Sequence, residues 1–220
     1  MYLVKEYYIM KNEYLNQNIQ AYYSVDYLGY NVCGNPNYLN TLKNTFNSTE
    51  YKVLKVAQNE TEYILNISLK SIIAKKKFED CVILAVPRAK NFDTYHQNQL
   101  LFINAIHNTV NTLKNIYPNI IDGTHAIKRI IDTKTTHLKK EDAIYIDKNN
   151  TRKKNEGDLP YKGITQKTCL IDKGIIQQKN IILIDDIYTL NVNVDEDCLQ
   201  AVLDYNPKEL IFYSVARTKR

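Results

Sequence analysis

Residues 181–195 read IILIDDIYTLNVNVD. Ile181, Ile182, Leu183 and Ile184 form a short, unbroken apolar run. Such a run predicts a strand buried on both faces, as in the interior of a parallel sheet. The strand is expected to end in Asp185-Asp186, followed by a polar turn and a helix over Val194 to Tyr205, with Val194, Cys198, Val202 and Leu203 facing inward. In open parallel sheets ligands bind at the carboxyl ends of the strands. Backbone N–H groups in such a turn, together with the helix dipole, suit an anion. Two carboxylates beside that turn would repel a bare phosphate, but they suit hydroxyls or a metal ion. The chemistry therefore points to a sugar phosphate, with its phosphate in the turn and its hydroxyls on Asp185 and Asp186.

Working outward, the same grammar recurs. Cys81 to Val86 (CVILAV) is a second buried strand, stopped by Pro87. A helix is expected from about Thr94 to Ile116, with Ile103, Ile106, Val110 and Leu113 on one face, Asp93 or Thr94 as N-cap, and Pro118 beyond its end. Ile120-Ile121 is a short apolar piece, Thr168 to Ile171 is strand-like, and Glu209 to Ala216 (ELIFYSVA) reads as a closing strand. Short apolar strands alternating with helices predict an α/β fold: a parallel sheet flanked by helices. Residues 1–78 have no single period beyond helices expected over Asn37 to Phe46 and Glu60 to Lys77. They read as an N-terminal elaboration, or hood, packed on a core of residues 79–220.

The interval from Lys128 to Pro160 is the most polar. It carries Lys128, Arg129, Lys134, Lys139, Lys140, Lys148, Arg152, Lys153 and Lys154, and only Ala143 to Ile146 (AIYI) looks strand-like. A long basic segment inside a compact domain is a working loop, a disordered one or a solvated one. A mobile lid and a nucleic-acid contact are the two functional readings.

Composition narrows the class. At 220 residues, 44% hydrophobic and 24% charged, the chain is an ordinary globular one that needs neither disulfides nor metal to fold. The formal charge of +5 favours anionic ligands in general. No apolar run approaches about 18 residues, so no membrane-spanning helix is expected, and the first residues lack a secretory h-region, so the expected location is cytoplasmic. Cys33, Cys81, Cys169 and Cys198 include no C-x-x-C pair, and His96, His107, His125 and His137 have no metal-ligand spacing.

The deciding stretch resembles the ribose-phosphate motif of type I phosphoribosyltransferases, in which a strand is followed by two acidic residues and Thr-Thr-Gly-x-Thr. The flanks are most similar to the competence-type (ComF-like) members: Asn98-Gln99 early in a helix, Arg129 with Asp132-Thr133, Arg152 with Asn155, Lys162-Gly163, and the terminal FYSVAR of Phe212 to Arg217. The likeness spans about residues 80 to 217. It departs at Leu190, Asn191 and Asn193, where the motif has Thr, Gly and Thr. It departs also at Tyr95-His96-Gln97, where those members have Arg-Gly-Phe, and it lacks their N-terminal zinc cysteines.

The resemblance implies a phosphoribosyl pyrophosphate donor and an unidentified nitrogen acceptor held by the hood. Asp185 and Asp186 would hold the ribose hydroxyls and, indirectly, Mg²⁺. Thr189, Leu190, Asn191, Val192 and Asn193 would hold the 5′-phosphate, with Asn191 replacing glycine because asparagine tolerates the left-handed conformation. Arg88 and Lys90, in the loop Pro87-Arg88-Ala89-Lys90, would bind pyrophosphate, and Lys128 and Arg129 would belong to a closing lid. A homodimer is compatible with this. The alternative is a catalytically degenerate protein of the same fold, a ligand sensor or scaffold, associated in one version with nucleic acid.

Overall fold

The computed structural model describes residues 4–30, 32–136 and 144–219. Its centre is a six-stranded sheet. In chain order the strands are β1 (Lys5–Ile9), β2 (Ile19–Tyr27), β3 (Cys81–Ala85), β4 (Ile120–Gly123), β9 (Asn180–Tyr188) and β10 (Glu209–Thr218), and across the sheet they run β1-β2-β10-β9-β3-β4. Only β1 is antiparallel to its neighbour; the other pairings are parallel. β9 and β3, the two strands read as buried on both faces, lie in the middle. Alternation along β9 divides its side chains. Ile182 and Ile184 face one apolar cluster, with α2 (Tyr51–Lys76) and α3 (Leu101–Leu113). Ile181 and Leu183 face the other, with α6 (Val194–Leu203) and α5 (Lys173–Ile176). The chain is thus a mostly parallel sheet with helices on both faces, and no described helix is long and apolar enough to cross a membrane.

The N-terminal residues do more than lie on this core. β2 pairs directly with β10, matching Tyr22 to Tyr213, so residues before 79 supply two strands of the sheet. They also supply α1 (Asn37–Lys43) and α2. α2 begins at Tyr51 rather than Glu60, because its apolar stripe already starts at Leu54 and Ala57, which pack on Leu42 of α1 and Leu101 of α3.

Three further expectations are corrected. The helix expected from Thr94 begins only at Leu101; two 3₁₀ turns, Phe92–Thr94 and Gln97–Gln99, precede it. The first is capped by Asn91, whose side chain accepts from Asp93 N at 3.0 Å, and the second by a reciprocal His96–Gln99 capping box, so neither Asp93 nor Thr94 is a cap. The strand near Thr168, β8 (Cys169–Ile171), follows the short α4 (Ile164–Thr168) and pairs antiparallel with β5 (Ile127–Arg129), outside the main sheet. β9 continues through Tyr188, so Asp185 and Asp186 lie within the strand rather than beyond it. The polar interval holds a small hairpin, β6 (Ile144–Ile146) and β7 (Arg152–Lys154); Ala143, His137, Lys139 and Lys140 fall outside the described residues.

The end of β4 is pressed against β3. A Cβ on Gly123 would lie 2.6 Å from Leu84 Cδ2 and 2.8 Å from Val82 Cγ1, so this strand end requires glycine.

Candidate functional site

At the carboxyl end of β3 and β9 a cleft opens between α1, the loop after β3, the β6–β7 hairpin and α4. Lys43, Arg88, Lys90, Arg129, Asp185 and Asp186 line it, with Leu42, Phe102, Tyr95 and Tyr145 as its apolar and aromatic wall.

The two aspartates diverge. Asp186 reaches towards α1, where Lys43 Nζ stands 3.5 Å from its carboxylate. Asp185 reaches towards α6, within hydrogen-bonding distance of the buried Asp195 carboxyl. Burial, and then the neighbouring charge of Asp186, push the Asp185 carboxyl up to about 7; burial and Asp185 push Asp195 well above the usual carboxylate range. The carboxyls also brace the backbone locally, since Asp185 Oδ1 accepts from Asp186 N and Asp186 Oδ1 from Ile187 N.

The cations on the other wall are tied to the protein itself. The Arg88 guanidinium donates to the carbonyls of Gln99 and, at 2.7 Å, Lys43, and stacks 4.6 Å from the Tyr95 ring centre. Lys90 is only 1% exposed. Its ammonium donates to Thr133 O at 2.6 Å and Glu156 O at 3.0 Å, over the Tyr145 ring. Burial draws its pKa down, opposed by the charges of Asp132 and Glu156. The buried Arg129 donates through Nε to Arg88 O at 2.6 Å and through Nη1 to Thr168 Oγ1. Charged donors on carbonyls are strong hydrogen bonds, so these three side chains hold the loop after β3 in its path.

Several residues that carry the sequence likeness complete that frame. Gln99 Nε2 donates to Asn44 O, Thr45 O and Ile146 O. Asp132 accepts from Asn91 N at 2.8 Å and Tyr145 OH at 3.0 Å. Thr133 bonds Ala89 O through both its N–H and its hydroxyl. Asn155 pairs with the backbone of Thr135 in both directions. Gly163 N donates to Asp197.

The structure brings Asp185, Asp186, Arg88, Lys90 and Arg129 together. It does not bring Lys128 into this cleft: Lys128 forms an ion pair with Asp93 at 2.9 Å and lies over the Phe92 ring. Nor does it place the turn there. Thr189, Leu190, Asn191, Val192 and Asn193 lie beside the cleft, which only Val194 reaches. The turn is closed by Val192 N donating to Thr189 O at 3.2 Å, with Asn191 at φ +70° and Asn193 at φ +63°, the left-handed conformation expected of Asn191. Thr189 Oγ1 bonds Thr218 Oγ1 at 2.7 Å, and Asn193 Oδ1 accepts from Asn12 in the β1–β2 connection.

Sequence reasoning missed Lys43, Tyr145 and the role of Asp195. Lys43 is one of many lysines, and nothing in its spacing ties it to Asp186. Asp195 lies in the first turn of α6, one acid in a run of three. The only earlier signal was the density of acids at 195–197.

No protein-family model matches this chain, and no curated protein matches it.

Proposed function

We propose that the cleft binds a ribose 5-phosphate ligand of the phosphoribosyl pyrophosphate class, and that the protein transfers the phosphoribosyl group to a nitrogen acceptor. The observation that carries this reading is the meeting of Asp185-Asp186, in the carboxyl-terminal half of the central strand, with the cation-framed Pro87–Lys90 loop after the adjacent strand. In the reaction the C1–O bond to pyrophosphate breaks with its electron pair leaving on oxygen. The acceptor nitrogen forms the new bond to C1 and releases its proton to water. The ribose hydroxyls donate to Asp186 and Asp185, fixing the sugar for in-line attack, while the loop after β3 and its bound cations face the leaving charge.

Among the described residues no three His, Cys, Asp or Glu side chains converge as a metal cage. Mg²⁺, where it takes part, would be held chiefly by ligand oxygens and water, with Asp185 and Asp186 as outer contacts. Bound in that way, the ion neutralises pyrophosphate charge.

A second reading, a ligand-binding protein without turnover, is favoured by a specific pair of observations. Leu190 and Asn193 replace hydroxyls of the family motif, and Arg88 and Lys90 already spend donors on backbone carbonyls. One experiment separates the readings. Calorimetry with phosphoribosyl pyrophosphate and Mg²⁺ is run beside an assay for pyrophosphate release, on the parent and on Asp185→Asn/Asp186→Asn. Binding with turnover, lost in the variant, supports transfer. Binding without turnover across nitrogen acceptors supports the second reading. Equal affinity in a folded double variant removes the site.

A further inference from the structure

The backbone of Lys43 is fixed in the cleft wall, while its side chain is left adaptable. Lys43 closes the last turn of α1, and Asn44 follows at φ +36°, where the chain leaves the helix. Three successive carbonyls then anchor this segment. Lys43 O accepts from Arg88 Nη2 at 2.7 Å, and Asn44 O and Thr45 O accept from Gln99 Nε2 at 3.3 and 3.2 Å. Asn44 Nδ2 donates to Asn98 O at 3.2 Å, and Ile146 N donates to Thr45 O at 3.2 Å. The loop after β3, the turn before α3 and the β6–β7 hairpin thus all hold the end of α1.

The Lys43 ammonium differs from the other cations of the cleft. Arg88, Lys90 and Arg129 turn their donors to carbonyls and a threonine hydroxyl of the protein itself. The Lys43 ammonium instead faces the Asp186 carboxylate at 3.5 Å. That is longer than the about 2.7–2.9 Å of a charge-assisted hydrogen bond. Both side chains are partly open, at 27% and 18% exposed. Ion pairs between solvent-accessible groups are weak, so this one exchanges readily for a better-placed anion. A lysine carries three donors on a flexible four-carbon stem, which suits such an exchange.

We propose that Lys43 is the cation that receives the diphosphate group of the ligand, leaving Asp186 as a ribose hydroxyl takes its place on that carboxylate. The assignment rests on the phosphoribosyl reading of the cleft. Its position fits: the side chain meets Asp186, and the carbonyl of the same residue meets Arg88 of the Pro87–Lys90 loop. Lys43 therefore stands where the carboxylates and the loop come together. In the exchange Asp186 trades a distant ammonium for a hydroxyl hydrogen bond, and the ammonium trades one carboxylate for the denser charge of a diphosphate. The loop cations, occupied by carbonyls, shape the wall; Lys43 supplies a full charge with donors to give. The residue lies outside the stretch that carries the sequence likeness, so the N-terminal segment contributes directly to ligand recognition.

The test is calorimetry at constant ionic strength with phosphoribosyl pyrophosphate, inorganic pyrophosphate and ribose 5-phosphate, on the parent, Lys43→Met and Lys43→Arg. Lys43→Met should weaken both diphosphate probes about tenfold or more and leave the affinity for ribose 5-phosphate unchanged; Lys43→Arg should recover most of the loss. A merely structural role would weaken all three probes alike. A second measurement stands if Lys43→Met fails to fold: in the parent, saturating pyrophosphate should slow acetylation of Lys43 by acetic anhydride, read by peptide mass spectrometry, but not that of the exposed Lys173. Equal loss for all three probes, full diphosphate affinity in folded Lys43→Met, or unslowed acetylation of Lys43 overturns the assignment and leaves the cleft reading standing. A parent that binds none of the three probes removes the cleft reading and this assignment with it.

Discussion

Asp197 sits in the first turn of α6, fully buried, and its carboxylate caps a different helix. Oδ1 accepts from Gly163 N and, at 3.1 Å, Ile164 N; Oδ2 accepts from Thr165 N at 2.7 Å. These are amides at the start of α4, which forms one wall of the cleft through Ile164 and Thr165; Ile164 N also donates to Tyr161 O at 3.1 Å, whereas Asp197 is the acceptor for Gly163 N and Thr165 N. In Asp197→Ala the amides of Gly163 and the buried Thr165 lose their acceptor, while Ile164 N keeps Tyr161 O. Hydrogen bonds to a charged group are worth about 1.5–3 kcal/mol each, and they are not additive. The expected loss is therefore about 2–4 kcal/mol, a large share of the roughly 5–15 kcal/mol of a typical domain. Asp197→Asn keeps one oxygen but turns an NH₂ towards one of the amides, so about 2 kcal/mol should be lost. Urea unfolding at pH 7 reads both values. The damage should also travel: Thr168 at the end of α4 accepts from Arg129, and Arg129 holds Arg88 O. Proteolysis of the loop after β3 should accordingly accelerate in Asp197→Ala. A loss below about 1 kcal/mol in the alanine variant would refute this account of the cap.

Two other outcomes are expected. The Asp185 carboxyl, held up to about 7 by burial and by Asp186, keeps a proton in the folded chain that the unfolded chain releases near pH 4. Its contribution to stability is thus complete below that pH and is lost as pH rises through about 7, by at most about 1.4 kcal/mol per unit between pH 5 and 7. Urea titrations in choline buffers should show this slope in the parent and a shallower one in Asp195→Asn; equal slopes would contradict it. Restoring the family pattern in the turn, with Leu190→Thr, Asn191→Gly and Asn193→Thr together, should tighten a 5′-phosphoribosyl ligand by about 1–3 kcal/mol through recovered bonds to a charged phosphate. Calorimetry checks this, and an unchanged Kd would place the phosphate elsewhere.

The sequence by itself determined the two central strands, β9 and β3. IILI and CVIL are apolar without alternation, and only a position covered on both faces accepts that pattern. It also determined the left-handed turn at Asn191, where asparagine meets little steric penalty. The periodicity of Ile103, Ile106, Val110 and Leu113 located α3, but not its start, because the Gln99 side chain is drawn off to carbonyls distant in sequence. Tertiary structure alone decided the rest. β2 lies between β1 and β10 although most of the chain separates it from β10, a pairing that no local pattern encodes. Arg88, Lys90 and Arg129 have the residue types of an anion site. That their donors turn to the carbonyls of Gln99, Thr133 and Arg88 depends on where those carbonyls are brought by the fold. Asp185 and Asp186 are neighbours in sequence, and strand geometry sends one to Asp195 and the other to Lys43. Charge and composition are properties of a chain, whereas the partner of a charge is a property of the packed molecule.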